Sequence, residues 1–138
     1  MTFAAAGADV AFLLARVLFG GVLAFTGFNH FSDVEGMAEY AAFKGIPFPK
    51  LSVLGSGGLL VIGGVSLVVG VVPSLGAGAL ALFLLASAVT MHDFWNAEGE
   101  DRQTEMTSFL KNLYGVGAAL AFLAVAGTAW PYALNVGL

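Results

Sequence analysis

Residues 51–91 read LSVLGSGGLLVIGGVSLVVGVVPSLGAGALALFLLASAVTM, without one charged side chain. A bilayer core of about 30 Å is crossed by about 20 apolar residues in a helix rising about 1.5 Å per residue. The stretch is therefore long enough for two crossings. Pro73 divides it where proline fits best, at the entry of a new helix whose first N–H lacks a partner anyway. Two antiparallel membrane helices joined in a tight hairpin are expected.

A further run lies on each side of this hairpin. Val10 to Asn29 holds a single charge, Arg16, and Leu113 to Trp130 holds none before Pro131. Four spans are expected, over about 10–29, 51–72, 74–95 and 109–130, in an all-α integral membrane bundle with residues 1–138 as one domain. The chain of 138 residues is 59% hydrophobic and 10% charged, with a mean hydropathy of +0.91, which excludes an ordinary soluble domain. The first run is expected to stay in the mature protein, because no positive n-region precedes it and it is longer than a signal-peptide h-region.

The connection from His30 to Lys50 has a helical pattern of its own, with Val34, Met37, Ala38 and Ala41 set against Asp33, Glu35 and Glu39. This predicts a short amphipathic helix at the membrane surface, stopped by Gly45 and the Pro47 and Pro49 that follow. The second long connection, Asn96 to Lys111, is the most polar part of the chain. An even number of spans puts both termini on one side. Lys44, Lys50, Arg102 and Lys111 fall on the other, so the positive-inside rule predicts a plasma-membrane protein with cytoplasmic connections and outward termini.

Lipid tails are as apolar as leucine, so close packing of small residues must help to hold such helices together. Gly20 with Ala24, Gly115 with Ala119, Gly117 with Ala121 and the pairs Gly57-Gly58 and Gly63-Gly64 supply thin faces. These serve packing within one bundle and between bundles equally well. A homo-oligomer or a larger membrane complex is therefore open, with the lipid bilayer as the constant partner.

Composition also bounds the chemistry. The net charge of -4 argues against nucleic acid, which needs a basic surface. Without cysteine there is no thiol nucleophile, thiolate-held cluster or disulfide, so redox chemistry must come from a bound cofactor or a partner. No nucleophile elbow, phosphate loop or metalloprotease signature is present, and an activity of the chain by itself is left open.

Arg16 is an intramembrane charge and therefore a functional candidate. It is expected either to anchor the structure, by snorkelling or by pairing with Asp9, or to hold a partner residue or an anionic or quinone-type ligand. His30 ends the first span and His92 the third, on the same side by parity, with Asn29, Asp93, Trp95, Lys111 and Asn112 at that level. Imidazoles in such a layer can ligate metals, shuttle protons or hydrogen-bond a quinone carbonyl. No His-x-x-x-His or Glu-x-x-His pair places two ligands on adjacent turns of one helix, so no metal site is expected. Trp95, Trp130 and Tyr132 are expected to form interfacial belts.

Several of these segments together resemble the DoxX family of small four-helix membrane proteins. The resemblance is carried by Ala15-Arg16-Val17-Leu18-Phe19-Gly20 continuing to Gly27-Phe28, by Tyr40 with Gly45-Ile46-Pro47-Phe48-Pro49, and by Gly63-Gly64 with Gly70. It continues through Met91-His92-Asp93-Phe94-Trp95 and Phe109-Leu110-Lys111-Asn112 to Gly115 and Gly117, over roughly residues 10–126. Some members of that family resemble subunits of a thiosulfate:quinone oxidoreductase; others partner a superoxide dismutase and a sulfurtransferase in a membrane redox complex. The resemblance implies a quinone-linked accessory subunit, with Arg16, His92, Trp95, Lys111 and Asn112 as the matching polar positions. The sequence departs from the family where many members carry an acid one turn before the paired glycines, because it reads Leu59-Leu60-Val61-Ile62 there. Arg16 consequently needs another partner.

Overall fold

The computed structural model of the protein describes residues 5–138. Five helices follow one another: α1 (Ala8–Ser32), α2 (Val34–Phe43), α3 (Pro49–Val69), α4 (Pro73–Met91) and α5 (Gly99–Val125), with a short 3-10 turn at Phe94–Asn96. All but α2 are long and apolar enough to cross a membrane. The fold is an all-α bundle of four spans with a short helix between the first two, as expected. Proline opens α3 and α4 at their first turns.

The last two membrane helices do not begin and end where the expected spans do. The third helix stops at Met91 rather than 95, and the fourth starts at Gly99 rather than 109 and stops at Val125 rather than 130. The polar stretch before Lys111 is thus largely helical. Hydropathy detects the lipid-facing part of a helix and misses the turns that project beyond it.

The small helix α2 lies against α3 through Ala38 and Ala41, while Glu35 and Glu39 face outward. Asp33 caps it, accepting a hydrogen bond from the Gly36 N–H at 3.1 Å. It ends as its glycine predicts: Gly45 takes a left-handed φ of 77°, its N–H reaches Ala42 O, and Ile46 N–H reaches Ala41 O.

The principal crossing is antiparallel, α1 on α3, and it is made by glycine. Gly20 faces Gly64 and Gly27 faces Gly57; a Cβ on Gly27 would sit 2.6 Å from the Gly57 carbonyl oxygen. Both pairs recur after seven residues, two helical turns, so each helix keeps one thin face toward the other. Gly63 then receives Leu80 from α4, and Gly115 receives Leu84 onto α5. Gly117 and Gly58 meet nothing within 4 Å and point away from the protomer. Between α1 and α5 the gap is filled by rings. Phe122 lies 5.6 Å from Phe12 and from Phe19, centroid to centroid.

Beyond α5 the chain turns back over the bundle. Residues 133–136 run beside the α3–α4 hairpin, with Leu134 N–H donating to Val69 O at 2.8 Å and Val72 N–H to Val136 O at 2.7 Å. Gly70 permits this approach, since its φ is 72° and a Cβ there would lie 2.6 Å from the Ala133 Cβ. Asn135 locks the return: its Oδ1 accepts from Trp130 N–H at 2.7 Å and its Nδ2 donates to Trp130 O at 3.0 Å.

Candidate functional site

The bundle has two chemically distinct ends. At the end bearing α2, a cavity of about 450 Å3 lies among the C-terminal turns of α1 and α4, α2 and the first half of α3. His30, Tyr40, Ser52, Ser56, Thr90 and His92 supply polar atoms to its wall, and Met37, Val53, Phe83 and Met91 apolar ones. The parity of the spans brings His30 and His92 to one chamber although 62 residues separate them.

Each imidazole is fixed through the same ring atom. His30 Nδ1 lies 3.0 Å from Ser56 Oγ and 3.4 Å from Val53 O. Ser56 spends its hydrogen on Val53 O at 3.0 Å, so both groups near His30 can only accept. His92 Nδ1 lies 2.9 Å from Glu105 Oε2 on α5. Among the described residues neither Nε2 has a hydrogen-bond partner.

Glu105 is the hub of a polar cluster behind His92. Its other oxygen accepts from the Tyr40 hydroxyl in a short hydrogen bond, and Lys44 Nζ stands 3.8 Å from it. Lys44 donates to Asp93 Oδ1 at 2.5 Å, and Asp93 accepts from Asn96 Nδ2 at 2.9 Å. Burial and then the hydrogen bond to Glu105 raise the Tyr40 pKa above its ordinary value. Burial works to lower that of Lys44, but Asp93 and the neighbouring negative charge outweigh it and raise it. Both groups are therefore held protonated. A second, polar cavity lined by Lys44, Asp93, Glu98, Asp101 and Glu105 lies on the far side, and Tyr40 borders both chambers.

The remaining candidates at this end stand apart from the cavity wall. Trp95 is 49% exposed and packs edge-on to Phe94 and Phe109, at 5.4 and 5.9 Å. Lys111 is exposed on α5, and Asn112 is buried there without a hydrogen bond among the described residues. Neither Lys111 nor Asn112 lines either of the two chambers.

Arg16 lies at the opposite end, fourteen residues and so roughly 21 Å along α1 from His30. It is 0% exposed, so it does not snorkel, and no salt bridge joins it to Asp9. Its partners come instead from the returning C-terminal segment: Nη2 donates to Pro131 O at 2.7 Å and to Tyr132 O at 3.1 Å. The guanidinium also sits 5.5 Å from the Trp130 ring and 5.6 Å from that of Phe12. Nε and Nη1 have no hydrogen-bond partner among the described residues. Trp130, expected in an interfacial belt, is 3% exposed because it is packed against this guanidinium and Phe122. Arg16 and the two histidines cannot contact one small ligand.

Comparison with known proteins agrees with this architecture. The DoxX family profile matches residues 11–93, from the first turn of α1 to the end of α4. The chain belongs to the DoxX family. Among its relatives, the inner membrane protein YphA of Escherichia coli (strain K12) is 28% identical over 122 residues, which cover 88% of this chain and 86% of that protein. No solved structure matches. In this DoxX protein the matched region includes Arg16 and both histidines but stops short of Glu105 and of the 103–113 stretch.

Tyr40, Lys44, Ser56 and Glu105 are the site residues that sequence reasoning left out. Glu105 was legible only if α5 continues outward as a helix to Gly99, which brings an acid of the second connection back over the end of α4.

Proposed function

We propose that this DoxX protein is an accessory membrane subunit of a quinone-linked redox system, and that the His30–His92 cavity holds the ring of a quinone-type ligand. The observation that carries this reading is the cavity itself: a largely apolar chamber of ligand size with two imidazoles on its wall, each keeping one ring nitrogen free of the protein. Ala86 and Thr90 border the chamber and are exposed on α4, which puts its opening on the outer surface of the bundle. An isoprenoid tail can stay in lipid while the ring enters there. The chain would supply the site and a docking surface, and its partner the electron acceptor or donor.

In this reading the cavity lies on the cytoplasmic side of the plasma membrane, which the basic residues of the connections support. The absence of cysteine makes the sidedness simple to map: a single cysteine at Glu98 should react with an impermeant maleimide only in inside-out vesicles.

The test is extraction and mass spectrometry of the small molecules that purify with the protein in mild detergent, for wild type, His30→Ala and His92→Ala. A quinone or its quinol present in wild type and lost from both folded variants is the expected result. Lipid alone in wild type, with no uptake of added short-chain quinone or quinol, would overturn the proposal.

A self-associating module is a second reading, favoured by Gly117 and Ala121, which are exposed on α5 with open space at Gly117. Gly20 and Gly115 do not serve it, because they pack inside the protomer. Gly117→Leu should abolish chemical cross-linking between copies if that face is used.

A further inference from the structure

We propose that the cavity selects the reduced, hydroxyl-bearing form of its ring ligand, a hydroquinone over the corresponding quinone, and that Glu105 is the positioning residue that enforces the choice at His92. The inference rests on the proposed ring-binding role of the cavity and adds to it which redox form is held.

A neutral imidazole carries one proton, and the hydrogen bond made by one nitrogen decides whether the other donates or accepts. At His92 the Nδ1 faces a carboxylate oxygen at 2.9 Å. Glu105 is an acceptor at both ends, since its other oxygen is met by the Tyr40 hydroxyl and Lys44 Nζ stands nearby. In the neutral imidazole the proton of His92 is therefore on Nδ1, and Nε2 is left as a bare lone pair. At His30 the same result arises from different atoms. Ser56 Oγ has given its hydrogen to Val53 O, so Ser56 Oγ and Val53 O both require a donor, and Nδ1–H supplies it. Nε2 is again an acceptor.

The two neutral imidazoles on the chamber wall thus offer acceptor nitrogens and no donor. A hydroquinone has two O–H groups to give and satisfies both. A quinone has two carbonyl oxygens, which are also acceptors, and meets lone pairs with lone pairs. Sites whose polar groups are matched to a ligand's hydrogen bonds reject analogues that cannot make them, because the buried groups are left unpaired. His92 is backed by a carboxylate, the arrangement that fixes the ring's tautomer and strengthens its other nitrogen as a hydrogen-bond acceptor. Tyr40 borders the chamber, but its hydroxyl hydrogen is committed to Glu105; Ser87 is the one hydroxyl on the wall whose hydrogen is uncommitted among the described residues, so acceptors still outnumber donors.

The experiment compares three probes of one shape on the purified protein in lipid nanodiscs under argon: a short-chain ubiquinol, the matching ubiquinone, and the quinol with both hydroxyls methylated. Binding is read by calorimetry, and the histidine tautomers by 15N NMR of histidine-labelled protein. We expect the quinol to bind at least about tenfold more tightly than either other probe, and both histidines to show Nδ1–H with bare Nε2. Glu105→Gln offers His92 an amide that can donate to Nδ1, so the preference should shrink severalfold while the quinone gains affinity. Equal binding of quinol and quinone, or a dominant Nε2–H tautomer in wild type, overturns this inference and leaves the cavity as a ring site. Failure of every probe to bind overturns the cavity reading as well. The tautomer measurement is made on wild type, so the outcome is decided even if Glu105→Gln does not fold.

Discussion

At one end of this bundle Arg16 is sealed by Phe12, Trp130 and the carbonyls of Pro131 and Tyr132; at the other, His30 and His92 border an open chamber backed by Tyr40, Lys44, Asp93 and Glu105. Both ends bury polar atoms at the limits of a membrane span. The first fills every space around its charge with protein, using rings and main-chain oxygens. The second leaves its two imidazoles beside empty volume and links His92 through a carboxylate to a polar groove. A buried charge in a membrane protein is by default a functional suspect, and the contrast shows what separates the two cases: the surroundings of the group, more than its charge, decide whether it can meet a ligand.

The comparison fails if the two ends do not behave independently, and the glycine crossing between them sets the scale. Gly27→Leu drives a side chain into the Gly57 carbonyl and Leu60, so α1 and α3 must separate. A loss of about 3 kcal/mol or more is expected, together with loss of both ends, read as a collapse of thermal stability in detergent. Arg16→Ala should follow closely, at about 2–4 kcal/mol, because it opens a void beneath Trp130 and strands two carbonyls. Arg16→Met keeps most of the volume without an unpaired charge and should lose much less. In both variants the folded fraction should bind ring ligands as wild type does. Weakened binding by folded Arg16→Met protein would show that the ends are coupled.

A smaller effect sharpens the distinction. Asn135→Ala removes the clamp on Trp130 and should cost about 1–2 kcal/mol, with faster proteolysis after residue 126 and no change at the cavity. The smallest concerns pH. Tyr40 and Lys44 are both held protonated, so their contribution is complete below about pH 10 and is lost as pH rises through their raised values. Melting temperatures between pH 9 and 11.5 should fall more steeply in wild type than in Lys44→Met. An equal slope would mean that the cluster does not hold the connection end together.

Much of this was legible in the sequence, and the reason is the solvent. Uncharged runs of membrane length can do little else than span a bilayer, so 51–91 alone declares a hairpin, and counting spans puts His30 and His92 at one level. The pattern of 34–41 and the stop at Gly45 were equally clear. What escaped lies where the chain leaves the apolar phase. The outer turns of α5 carry polar residues on all sides, which a hydropathy reading assigns to a loop, and with them went Glu105. The return of 126–138 escaped because Trp130 and its apolar neighbours read as the end of a span, while what bends them back is one asparagine and a glycine in α3's cap. Arg16 stands out in the sequence as the one charge inside a span, but main-chain oxygens leave no mark in a sequence, so its partners could not be named.

The hydrogen bonds of Arg16 also impose an order on biosynthesis. The arginine enters the membrane with the first helix, whereas the oxygens that receive it belong to residues 115 and 116 positions later. Throughout synthesis of α3, α4 and α5 the arginine is without these acceptors. Only the docking of Pro131 and Tyr132 supplies them, so a chain cut before these residues would lack its arginine's acceptors although all four of its spans are in place.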